Sequence, residues 1–195
     1  MKIGIMGGTF DPIHLAHLIA GECAREGAAL DEVWFMPTSV PPHKERPEGG
    51  ADAGARWEML CLALNGYDRF RPIDLELTRG GTSYSIDTVT ELRKRYPGYE
   101  FYYIIGGDMV QYLPHWHRID ELLLLTRFIG LERPGTNIDW TQLTPAMREA
   151  VTMIPMRQLD ISSTDIRVRR KEGQSVRYLV PEAVRIYMEE GKLYE

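Results

Sequence analysis

Six short apolar runs are spread along this 195-residue chain, at residues 2–6, 33–36, 70–74, 100–105, 127–131 and 151–154. Amphipathic stretches separate most of them. Residues 13–26 bring Leu15, Leu18, Ile19, Glu22 and Cys23 near helical spacing, and residues 55–64 and 85–96 are similar. Residues 181–190 read as a last helix with Gly191 as its stop. Strands alternating with helices predict an α/β fold with a mostly parallel central sheet and helices on both faces. The length suits one well-buried core, and no repeat or low-complexity tract divides it. A single domain over 1–195 is expected, with a C-terminal helical portion from about residue 160. Residues 41–54 (PPHKERPEGGADAG) read as a mobile loop, and 133–140 as a second irregular link.

The first run leads into GGTFDPIHLAHL, residues 7–18. Gly7 and Gly8 stand between a strand and a helix, where glycine permits positive φ and close approach of a ligand to the backbone. Asp11 followed by Pro12 reads as a helix start, and a helix start beside a glycine turn is a natural anion site. His14 and His17, three apart, share a face near that positive end. The spacing fits neither the dinucleotide fingerprint nor the phosphate loop of nucleoside triphosphatases. A metal site would need a third ligand from elsewhere, such as Asp108, His43 or His115, and structural packing of one histidine is the plain alternative.

A net charge of −5 argues against broad nucleic-acid binding but leaves room for a local basic pocket. Cys23 and Cys61 both lie in apolar, helix-like patterns, as expected of buried thiols in a reducing cytoplasm. The MKIGIMGG opening is too short and too weakly basic for a signal peptide, and no apolar stretch is long enough to span a membrane. A cytoplasmic protein is expected, and a homo-oligomer stays open.

Four further stretches carry chemistry. In MPTSVPPHK, residues 36–44, two prolines stiffen the approach to His43 and Lys44; the lysine either reaches a phosphate or is simply solvated. In GGTSYSIDT, residues 80–88, Tyr84 offers an aromatic face and Ser85 a donor, while a helix cap with Tyr84 in the core is compatible with both. In IIGGDMVQYLPHW, residues 104–116, a strand ends in Gly106 and its neighbour and presents Asp108 where open α/β sheets bind ligands. Trp116 either stacks on a flat heterocycle or belongs to the core. In DISSTDIR, residues 160–167, Ser162 and Asp165 have capping-box spacing, helix amides face outward for phosphate, and Arg167 follows one turn later.

GGTFDPxHxxH followed by ISSTDIR resembles the nucleotidyltransferase superfamily marked by HxGH and SSTxIR motifs, with Ala16 in place of the HxGH glycine. Adding PPHK, SYSIDT, GGDMVxYLPxW, ERPG and the YLVPEAVRxYMEEGKLY ending, almost the whole chain resembles bacterial nicotinate-nucleotide adenylyltransferases. At Tyr84–Ser85 that family usually shows Tyr-Thr; the serine keeps the hydroxyl. The resemblance implies a Rossmann-like nucleotidyltransferase fold and adenylyl transfer from ATP to nicotinate mononucleotide. Mg²⁺ would arrive on the ATP phosphates, with no metal held by the protein alone. It implies catalytic roles for His14, His17, Lys44 and Arg167. ATP would also meet Gly7, Gly8, Thr9, Phe10, Gly106, Asp108, Ile161, Ser162, Ser163 and Thr164. The mononucleotide would meet Lys44, Tyr84, Ser85, Asp108, Trp116 and Arg133.

Overall fold

The computed structural model describes residues 1–40, 49–132, 135, 138–157 and 159–195. Lys44 and Arg133 therefore lie outside the described residues, as does most of the 41–54 loop. Six strands form one sheet: β1 (Lys2–Gly8), β2 (Glu32–Pro37), β3 (Phe70–Pro72), β4 (Glu100–Gly106), β5 (Arg127–Glu132) and β6 (Val151–Pro155). Their order is β3-β2-β1-β4-β5-β6, and every pairing is parallel. This is the doubly wound arrangement, in which the strand order reverses between β1 and β4 and leaves a crevice beyond their carboxyl ends.

Nine α-helices occur among the described residues, seven between strands and two after β6. They are α1 (Leu15–Gly27), α2 (Ala53–Leu64), α3 (Leu75–Arg79), α4 (Ser85–Arg95) and α5 (Gly107–Tyr112), then α6 (Ile119–Leu125), α7 (Pro145–Ala150), α8 (Ser163–Lys171) and α9 (Glu182–Glu190). Four of these, α3, α5, α6 and α7, have only five to seven residues and carry no clear period in the sequence.

Side chains alternate across each strand, so the sheet has two cores. One face gathers Met6, Val33, Phe35, Ile104, Ile129 and Ile154 against residues of α1, α2, α8 and α9. The other gathers Ile3, Ile5, Trp34, Tyr103, Ile105 and Phe128 against residues of α4 to α7. Trp34, Phe35 and Phe128 are completely buried, each worth about 1.5–3 kcal/mol relative to exposure. Cys23 and Cys61 are half-buried, free thiols on α1 and α2. No helix among the described residues is long and apolar enough to cross a membrane.

The first helix does not begin where Asp11-Pro12 suggested. His14, with extended backbone, takes the capping position and α1 starts at Leu15. Asp11 is 2% exposed, and its Oδ1 accepts from the Ala51 backbone N–H at 3.0 Å and the Tyr194 hydroxyl at 2.6 Å. Tertiary donors have claimed the carboxylate that local sequence assigned to the helix.

Candidate active site

A cavity of about 320 Å³ opens at the β1/β4 crevice. Gly7, next to the end of β1, lies on one side and Gly106, the last residue of β4, on the other, and both border the cavity. The backbone needs the missing side chains here. A Cβ on Gly7 would stand 2.8 Å from the Tyr103 hydroxyl, and one on Gly106 would stand 2.5 Å from Asp108 Oδ1. Asp108, in the first turn of α5, is exposed beside that strand end.

The floor of the cavity is the start of α1. His17 borders it, while His14 is 5% exposed behind, its ring stacked on that of His17 at 3.6 Å and 22°. The backbone N–H of His14 donates to Nδ1 of His17 at 3.3 Å, which leaves Nε2 as the nitrogen that carries the proton in the neutral ring. Phe10 meets His17 edge-on at 5.0 Å. Phe10 has φ of 48°, left-handed for a bulky residue, and is 2% exposed. Surrounding contacts must hold such a conformation in place.

Those contacts come from three directions. The buried guanidinium of Arg56, on α2, donates to the Thr9 carbonyl at 2.6 Å and to the Thr38 carbonyl at 2.9 Å, tying together the segments that follow β1 and β2. Ser163 Oγ donates to the Pro12 carbonyl at 2.9 Å, and Arg167 Nη1 donates to the Asp11 carbonyl at 2.7 Å. Thr164 Oγ1 takes a second bond from Arg167 at 3.3 Å. Ser162 caps α8, its Oγ accepting from the Asp165 N–H at 3.1 Å as the capping-box spacing predicted. Ile161 packs against the core beside them. The ISSTDIR segment is thus attached to the glycine turn through its side chains, without itself bordering the cavity.

The opposite wall is aromatic. Tyr84 is the N-cap residue of α4 and offers it no side-chain cap, so the first amides of that helix have no partner from its cap. Its ring lies 4.3 Å from that of His117. Trp116 meets Tyr103 and Phe128 edge-on at 5.6 and 5.7 Å, so it has core contacts as well as a cavity face. Its indole N–H is buried and has no hydrogen-bond partner among the described residues. Behind this wall Glu76 is 1% exposed. Burial pushes its carboxyl above the ordinary range, opposed by hydrogen bonds from Thr88 and Ser83 and by the charge of Arg79. Burial also raises the Tyr103 phenol, and the nearby Glu76 adds to the effect. The Tyr103 phenol therefore stays a protonated hydrogen-bonding group near neutral pH.

One cavity therefore collects six of the expected residues: Gly7, His17, Tyr84, Ser85, Gly106 and Trp116. Sequence reasoning missed Thr38, Ser83, Tyr103 and His117, which also line it. Tyr103 reads as one more core residue of a strand, and the others sit on connections whose placement only the tertiary fold decides.

A sequence profile described as cytidylyltransferase-like matches residues 5–169. The nicotinate-nucleotide adenylyltransferase of Bacillus subtilis (strain 168) is 44% identical over 194 residues, covering 100% of this chain and 98% of that protein. A probable nicotinate-nucleotide adenylyltransferase of Geobacillus kaustophilus is 47% identical, covering 99% of this chain and 86% of its own length. Among solved structures, the Plasmodium falciparum nicotinic acid mononucleotide adenylyltransferase complexed with NaAD superposes with a TM-score of 0.79 at 22% identity. It covers 99% of this chain and 97% of that one, and shares the fold.

Proposed function

The chain belongs to the cytidylyltransferase-like family and, within it, to the nicotinate-nucleotide adenylyltransferases, and we propose its reaction from that premise. It transfers the adenylyl group of ATP to nicotinate mononucleotide, giving nicotinate adenine dinucleotide and pyrophosphate in NAD biosynthesis. The observation that carries this reading is one cavity with a histidine-bearing helix start on its floor and an aromatic wall opposite. Residues 1–195 would act as one cytoplasmic domain, with the helices after about residue 160 supporting the phosphate side.

An oxygen of the mononucleotide 5′-phosphate attacks the α-phosphorus of ATP in line, and the bond to pyrophosphate breaks. The attacking oxygen is already anionic, so the protein need supply neither a nucleophile nor a strong base. Its work is alignment and charge stabilisation. His17 donates through Nε2 to the α-phosphate, and His14 orients it by stacking. The amides of 7–10 lie alongside. Ser162, Thr164 and Arg167 hold the distal phosphates, with Ser163 fixing the turn. Asp108 meets a ribose, and Lys44 and Arg133 complete the phosphate and mononucleotide contacts. Mg²⁺ would be carried on the triphosphate, where it would neutralise charge.

Tyr84, Ser85 and Trp116 form the pyridine pocket. The first α4 amides and the Trp116 indole N–H are donors only, which favours a carboxylate over a carboxamide on the ring. Incubation with ATP, Mg²⁺ and either nicotinate or nicotinamide mononucleotide, with mass identification of the dinucleotide, tests this. Nicotinate adenine dinucleotide is expected to form faster. Equal or reversed preference would overturn the pocket assignment, and phosphate release without any dinucleotide would overturn the reaction.

A further inference from the structure

The adenylyl-transfer scheme leaves unused the bond between Tyr194 and Asp11. It spans 183 positions of the chain and joins the turn carrying the histidines at 2.6 Å. After α9 the chain doubles back with Lys192 and Tyr194 both in the left-handed region, at φ of 48° and 65°. Such angles are unfavourable for residues with a side chain. The conformation delivers the Tyr194 ring inward, where it is 9% exposed and joins the core formed by α2, α8 and α9. Burial raises the Tyr194 phenol far above its ordinary range, and the Asp11 hydrogen bond adds to that, so it stays a donor.

Asp11 lies three residues before His14 and six before His17. Its main chain is held at Thr9, Asp11 and Pro12 by Arg56, Arg167 and Ser163. Its side chain is held by Ala51 and Tyr194. The main-chain anchors fix where the turn passes. The carboxylate, gripped by Ala51 and Tyr194, restrains its rotation about that path. A hydrogen bond from a hydroxyl to a buried carboxylate is among the stronger kinds.

We infer that Tyr194 is a positioning residue for adenylyl transfer, acting through Asp11 to aim the start of α1 and with it His17. This rests on the reaction proposed above. Tyr194→Phe removes the hydroxyl and keeps the buried ring, so packing is preserved while the grip is lost. Small misplacements at a reacting centre are costly. The variant is expected to lose roughly 10-fold or more in kcat, in line with displacement of a preorganised donor, while KM for ATP and the mononucleotide each change less than about threefold. Peptide-level hydrogen exchange over residues 9–17 should rise in the same variant. In an Asp11→Ala background, which has no acceptor for the hydroxyl, Tyr194→Phe should cost little more, because the two act through one bond.

Wild-type-like kcat in folded Tyr194→Phe overturns the inference, as does unchanged exchange over 9–17 or full multiplicativity of the two substitutions. A rise in KM with kcat unchanged overturns it too. If the unsubstituted protein formed no dinucleotide, the reaction assignment would fall by itself, and unchanged exchange in the variant would still refute the positioning role.

Discussion

Two helices begin beside the glycine turn, and they are secured in different ways. The start of α8 secures itself: exposed Ser162 accepts from the Asp165 N–H three residues on, and Asp165 adds an acidic charge to the first turn. The start of α1 has no acidic residue in its first turn, and its cap is a nearly buried histidine. Its Leu15 N–H donates to the Leu179 carbonyl, 164 positions away in the turn before α9. A self-sufficient start can lend its side chains outward, as Ser163 and Arg167 do. The start of α1 is held from outside and also capped by its own histidines, His17 Nδ1 accepting from the His14 N–H, so Nε2 of His17 is the ring nitrogen left for the proposed chemistry. In the proposed reaction one helix is scaffold and the other is instrument.

That division can be broken by experiment. The largest effect belongs to α1: His17→Ala should lower turnover roughly 10²–10³-fold, the scale for losing one preorganised donor to developing charge, with nucleotide binding by calorimetry little changed. Turnover close to wild type in the folded variant would show that α1 is scaffold as well. Next comes Arg56, which ties the approach to α1 to the segment after β2. Arg56→Leu leaves the Thr9 and Thr38 carbonyls short of donors, costing about 2 kcal/mol and lowering the melting temperature by roughly 4–8 °C for a domain of this size. The smallest effect belongs to α8. Ser162→Ala removes a cap worth about 1 kcal/mol, and the melting temperature should fall by roughly 2–4 °C with a modest rise in KM for ATP. If it cut turnover as deeply as His17→Ala, the two starts would share one role.

The same contrast explains what could be read from the residues. The Ser162–Asp165 cap is local, so its spacing alone revealed it. All six strands were visible as apolar runs, most plainly the inner four, because burial on both faces of a parallel sheet demands them. Their order was not, since nothing in a single strand records its neighbours. Asp11-Pro12 misled because local rules assign a cap to the nearest Asp, whereas Ala51 and Tyr194 draw that carboxylate elsewhere. Arg56 reads as an ordinary helix arginine among apolar neighbours, yet it is 1% exposed and bridges two carbonyls. His14 and His17 were conspicuous, but which ring nitrogen bears the proton follows only from the backbone bond at Nδ1.

The anchors of the glycine turn also carry a statement about time. Ser163, Arg167 and Tyr194 reach it across 151, 156 and 183 positions. Closing loops of that length costs entropy that nearby contacts do not incur, so such bonds form after the local ones. A chain synthesised from its amino end makes β1 and the two histidines early, long before the residues that aim them exist. The segment carrying the histidines is thus made before its anchors, and in the proposed reaction it becomes competent only when α8 and the chain after α9 have docked.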